Sequence, residues 1–92
     1  MKRSPIAFSL TSYRILRHLH PGIKRSIRKA LDDLFKDPFS GKPLKEELAG
    51  LWSFAVSHHR IIYQIEMSAI TVVFIGPRRD VYERLRKLLT EK

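Results

Sequence analysis

His59-Arg60-Ile61-Ile62-Tyr63-Gln64-Ile65 and, after a short break, Ile70-Thr71-Val72-Val73-Phe74-Ile75 decide the fold. Both runs are dense in β-branched and aromatic residues, which fit a pleated surface, and they predict an antiparallel strand pair turning at Met67-Ser68-Ala69. Side chains alternate across a strand, so Ile61, Tyr63 and Ile65 share one face and Arg60 lies on the other. The second strand is expected to end at Gly76-Pro77-Arg78-Arg79-Asp80-Val81-Tyr82. Fixed cations, the pair His58-His59 and a tyrosine thus converge near one end of a rigid sheet. Such a group can bind a phosphodiester and has the means to cut one.

Trp52, Phe54 and Val56 alternate with Ser53, Ala55 and Ser57, a period of two that predicts a third strand, with Ser57-His58-His59 as the turn between them. Upstream, Asp37 to Lys42-Pro43 holds two prolines and a glycine and is expected to be a loop. Leu44–Leu51 is either irregular or one helical turn. Ile23, Ile27, Ala30, Leu31 and Leu34 form one apolar stripe at helical spacing, opposite a face carrying Lys24, Arg25, Arg28 and Lys29. A shorter helix, capped by Thr11 or Ser12 with Tyr13, Leu16 and Leu19 as its apolar positions, precedes the break at His20-Pro21-Gly22. Ile6 to Leu10 reads as a short strand, and Val81, Leu85, Leu88 and Leu89 mark a C-terminal helix. The order β-α-α-β-β-β-α predicts a two-layer α+β domain over residues 1–92, a helix hairpin covering one face of a small sheet.

The chain has 92 residues, no cysteine, and 18 Lys+Arg against 9 Asp+Glu, a formal charge of +9. That excess predicts a polyanionic partner, nucleic acid or an acidic protein. The missing cysteines exclude disulfide, thiol and cysteine-zinc chemistry and fit a reducing compartment. No apolar run approaches the roughly 18 residues of a membrane span. Met1 to Pro5 is basic but leads into no apolar region of signal-peptide length, so a cytoplasmic chain with no membrane partner is expected.

Arg60, Arg78 and Arg79 each offer a planar fork of donors that matches phosphate oxygens and stays charged at any relevant pH. The bland alternative has them solvated or paired with Asp80 and Glu66. Tyr82 can pack its ring on the sheet, stack on a base, or move a proton. Histidine as a residue type can take or give a proton near neutral pH, so His58 and His59 are proton-transfer candidates, or else idle turn residues. Two histidines without a completing carboxylate make no metal site, and no cofactor motif is present.

Lys42-Pro43-Leu44, then Gly50-Leu51-Trp52-Ser53-Phe54, then Arg60-Ile61-Ile62-Tyr63-Gln64-Ile65, then Ile75-Gly76-Pro77-Arg78-Arg79-Asp80-Val81-Tyr82 resemble, in order and spacing, the RelE/ParE superfamily of toxins, above all its RelE branch. The resemblance covers nearly the whole chain. It implies a ribosome-dependent endoribonuclease that cuts mRNA, the 2′-hydroxyl attacking the adjacent phosphate, and a cognate acidic antitoxin, RelB-like, as partner. By position it assigns catalysis to Arg60, Arg78 and Tyr82. Family members carry lysines on the Trp52 strand where this chain has Ser53 and Ala55, so Lys42 or Lys45, or His58 and His59, are the candidate replacements, with Arg79 as a further phosphate ligand. The ParE branch, whose target is DNA gyrase, and a basic RNA-binding module without catalysis are the alternatives.

Overall fold

The computed structural model describes residues 6–67 and 69–90. The expectations for Met1–Pro5 and for Ser68 in the second turn lie outside them. The elements are β1 (Ile6–Phe8), α1 (Leu10–Arg17), α2 (Pro21–Lys36), β2 (Lys42–Pro43), β3 (Trp52–Val56), β4 (His59–Glu66), β5 (Ala69–Pro77) and α3 (Val81–Thr90). Single 3-10 turns occupy Pro38–Ser40 and Glu46–Leu48. The five strands form one sheet in the order β1-β5-β4-β3-β2, with β1 parallel to β5 and the other neighbours antiparallel.

The sheet carries a different apolar cluster on each face. On one, Ile27, Ala30, Leu31 and Leu34 of α2 pack on Val56, Ile61, Tyr63, Ile70, Val72 and Ile75. On the other, Val81 and Leu85 of α3, with Leu48, cover Ile62 and Phe74. Each buried Ile or Leu contributes roughly 1.5–3 kcal/mol of transfer free energy, so the larger cluster dominates stability. The helix hairpin therefore covers its face as expected, and α3 adds a partial layer behind the sheet.

A β-bulge makes both clusters possible. Ile62 pairs with Phe74 and Tyr63 with Val72, so Val73 is an extra residue in β5. Strict alternation would put Val72 and Phe74 on one face. The bulge turns Val72 towards the helix hairpin and Phe74 towards α3. Its backbone carbonyls are claimed by the start of α1: Ser9 N–H donates to the Val72 carbonyl at 2.9 Å, Ser9 Oγ donates to that of Val73 at 3.1 Å, and buried Ser12 Oγ donates to Val72 at 2.8 Å. Ser9 is also the helix cap, accepting from the Ser12 amide at 3.1 Å. The expected cap at Thr11 or Ser12 is thus moved back to Ser9, because Ser12 is needed inside. Tyr13, expected in the apolar stripe, is exposed, while Ile15, Leu16 and Leu19 pack inwards.

Three strand boundaries differ from expectation. Lys42-Pro43 is a two-residue edge strand rather than loop, Ala69 belongs to β5 rather than to the turn, and β5 runs on through Gly76 and Pro77. At the sheet edge Pro43 has no ladder donor to lose, which is why proline is tolerated there. His20 caps α2 by accepting from the Gly22 amide at 3.1 Å, with Pro21 in the first turn.

Tyr63 ties the loop after α2 to the sheet. It is fully buried, stacks near Trp52 with centroids 6.4 Å apart, and donates to the Pro38 carbonyl at 2.8 Å. Gly41 runs so close that an added Cβ would strike the Tyr63 hydroxyl and stand 2.8 Å from the Ser53 carbonyl. Glycine is needed there for space. Burial, chiefly, pushes the Tyr63 phenol from 10.0 up to about 12. The folded state therefore holds this proton more tightly than the unfolded chain. Its stabilising contribution is full below about pH 10 and is lost as the pH climbs towards about 12, a loss of about 2–3 kcal/mol. Urea titrations at mildly and strongly alkaline pH should show this loss in the parent, and Tyr63→Phe, which has no phenol to titrate, should lose less.

Candidate functional site

The candidate site lies on the α3 side of the sheet, where Arg60 has small neighbours on both flanks. Its Cα partners are Ala55 on β3 and Gly76 on β5. With no bulk beside it, the guanidinium lies across the strand, its Nη1 donating to Ser53 Oγ at 3.3 Å. Gly76 has a second effect. An added Cβ there would stand 3.2 Å from both the Phe74 ring and Val81, so the glycine lets the first turn of α3 settle close to the sheet. That turn delivers Tyr82, whose hydroxyl donates to the same Ser53 Oγ at 3.0 Å. The Arg60 guanidinium sits 5.8 Å from the centre of the Tyr82 ring, within cation–π range. Arg60, Tyr82 and Ser53 thus form one closed triangle, with Ser53 buried at its base.

The remaining candidates divide by position. Arg78 donates its backbone N–H to the His58 carbonyl at 2.8 Å, which fastens the β3–β4 turn to the end of β5. The side chains of Arg78 and Arg79 are exposed, and among the described residues neither is in an ion pair. The alternative pairing with Asp80 is taken up instead by Arg84, at 3.1 Å. His58 is exposed in the turn. His59, expected in that turn, opens β4 opposite Val56, a residue of the helix-hairpin face. Alternation therefore sets His59 on the face away from Arg60.

Lys42 is the Cα partner of Ser53 across the β2–β3 ladder. Directly opposed antiparallel residues share a face with Cβ atoms roughly 4.5–5.5 Å apart, so Lys42 emerges beside the triangle. Beyond it a groove of about 310 Å³ is lined by Lys42, Pro43, Leu44, Lys45, Tyr82 and Arg86, among others. Arg86 is held there by Glu47 at 2.8 Å. The Glu47 carboxyl is drawn below its ordinary range by a backbone hydrogen bond and then by Arg86. A larger groove, about 420 Å³, runs between β1 and the helix hairpin and holds none of these candidates. Among the described residues no three His, Asp or Glu side chains gather closely enough to hold a metal ion.

Two contributors escaped the sequence reading. Ser53 registered there only as an absent lysine, since its partners depend on α3 folding back over the sheet. Nothing in the sequence sets Arg86 apart from the chain's other cations, and only its pairing with Glu47, in the Glu46–Leu48 turn, singles it out. Period two did carry a signal for Ser53, because it set Ser53 and Ala55 on the face of Arg60.

Residues 11–82 match the model of the ParE toxin of the type II toxin–antitoxin system parDE. The chain belongs to that family. This ParE-family toxin is 36% identical over 83 residues to toxin RelG of Mycobacterium tuberculosis, across 86% of its own length and 95% of that protein. It superposes with TM-score 0.75 and 30% identity on a chain of the M. tuberculosis RelBE2 toxin–antitoxin complex, covering 82% of itself and 98% of that chain. Isolated E. coli RelE toxin has the same fold, with TM-score 0.69 at 18% identity over 95% of this chain and 99% of that one. No helix among the described residues is long and apolar enough to cross a membrane.

Proposed function

We propose that this toxin is a ribosome-dependent endoribonuclease that cuts mRNA, held in check by an acidic antitoxin. One observation carries the reading: a guanidinium and a phenol converge on one buried hydroxyl, with a second arginine, Arg78, at the neighbouring strand end. In the reaction the ribose 2′-oxygen forms a bond to the adjacent phosphorus and the bond from phosphorus to the 5′-oxygen breaks. A 2′,3′-cyclic phosphate and a 5′-hydroxyl result. Arg60 and Arg78 stabilise the charge that builds on the phosphoryl oxygens, and Lys42 supplies charge across the ladder from Ser53. Tyr82 turns its O–H from Ser53 to the departing 5′-oxygen and gives up that proton, the Ser53 hydroxyl then donating to the phenol oxygen. His58 is assigned the proton that leaves the 2′-hydroxyl. His59, on the other face, takes no part. Lys45, Arg79 and the groove-lining Arg86 hold flanking phosphates.

The antitoxin reading is supported by the +9 charge and by the relatives solved as toxin–antitoxin complexes, RelBE2 of M. tuberculosis and RelBE of E. coli. A second reading, inhibition of DNA gyrase as in the ParE branch, is favoured by the absence of any cation on β3, where Ser53 and Ala55 stand. Induction of the toxin in bacteria separates the two. Protein synthesis should stop before DNA synthesis, with plasmid supercoiling unchanged. Early arrest of DNA synthesis with relaxed plasmid would contradict the nuclease and favour gyrase.

A further inference from the structure

Ser53 is an odd residue for its position. It lies mid-strand and only 2% exposed, where a small apolar or β-branched side chain would pack without polar cost. A buried hydroxyl must find partners, and both partners of this one are groups of the proposed site. The hydroxyl has two lone pairs, enough to accept from Arg60 and from Tyr82 together. Neither donor has another side-chain hydrogen bond among the described residues. Arg60 comes from β4 and Tyr82 from the first turn of α3, two elements with no shared backbone. Among the described residues, Ser53, on β3, is the side-chain hydrogen-bond partner that the two share.

From this geometry we propose that Ser53 is the positioning residue of the site, fixing the distance and angle between the Arg60 guanidinium and the Tyr82 phenol. The proposal rests on the nuclease reading for its catalytic consequence, and on the hydrogen bonds alone for its structural one. Without the hydroxyl, the guanidinium can swing off the ring and the phenol can turn to solvent. Misplacement on the order of 1 Å costs about a hundred-fold in an oriented reaction. Substrate recognition draws on Lys45, Arg79 and Arg86, none of which has a side-chain hydrogen bond to Ser53 among the described residues. The loss should therefore fall on the chemical step.

The test compares Ser53→Ala and Ser53→Thr with the parent. Single-turnover cleavage of a reporter mRNA on ribosomes gives the rate constant and the concentration for half-saturation. The ¹³Cζ chemical shift of Tyr82, which responds to hydrogen bonding at the phenol oxygen, is read in the same proteins without RNA. Ser53→Ala should slow cleavage at least ten-fold with half-saturation unchanged and move the Tyr82 signal. Ser53→Thr, which keeps the hydroxyl, should restore both. A Ser53→Ala rate equal to the parent's would overturn the proposal, as would a rate lost equally in Ser53→Thr. If the parent cuts no mRNA, the nuclease reading fails by itself. The Tyr82 signal then decides: a shift in Ser53→Ala reversed in Ser53→Thr supports the positioning role, and an unmoved signal overturns it.

Discussion

Arg60→Ala should abolish nearly all mRNA cleavage while leaving the toxin folded. Removing one preorganised donor aimed at developing negative charge typically costs about 10²–10³-fold in rate. Arg60 combines that position with fixed charge, since small Ala55 and Gly76 flank it and Ser53 holds its Nη1 at 3.3 Å. The stability cost should be modest, about 1 kcal/mol, because the residue is half-buried and the lost hydrogen bond is to a neutral hydroxyl. Single-turnover cleavage alongside a thermal melt checks both parts. Arg60→Lys should rescue only partly, because an ammonium keeps the charge but loses the planar fork that reaches Ser53 and the Tyr82 ring together.

Tyr63→Ala should instead lower stability by about 3–5 kcal/mol, the range for deleting a buried aromatic ring. The fully buried ring belongs to the larger apolar cluster and packs against Trp52, and its hydroxyl anchors the Pro38 carbonyl. A domain of this length has roughly 5–14 kcal/mol in all, so the variant should be close to unfolding at physiological temperature. Tyr63→Phe keeps the ring and should lose only about 1 kcal/mol, for the hydrogen bond to Pro38. Urea denaturation of the three proteins separates the two contributions. A loss in Tyr63→Phe as large as in Tyr63→Ala would place the weight on the loop anchor rather than on the core.

The sequence showed much that depended on one strand or one helix, though not the exposed Tyr13 of α1. The apolar stripe of α2, the period of β3 and the face of Arg60 all follow from local spacing, and the structure has each of them. What it hid depends on contacts between distant segments. The Val73 bulge is invisible in a run of β-branched residues that reads as continuous strand, yet it decides which way Val72 and Phe74 point. Ser9 became the cap of α1 because Ser12 is drawn inward by a carbonyl 60 residues away. Lys42-Pro43 is too short to show any period, and its pairing opposite Ser53 appears only once the sheet is assembled. At the candidate site, Arg60, Arg78 and Tyr82 were legible as types of residue at strand ends. The meeting of Arg60 and Tyr82 at Ser53 was not, because α3 must first fold back over Gly76.

Primer extension on a reporter mRNA, in a purified translation reaction with and without ribosomes, tests the central claim most directly. The account predicts cuts that require ribosomes, appear with the parent toxin and vanish with Arg78→Ala. Intact mRNA at every toxin concentration, under conditions where the parent still arrests growth, would contradict it.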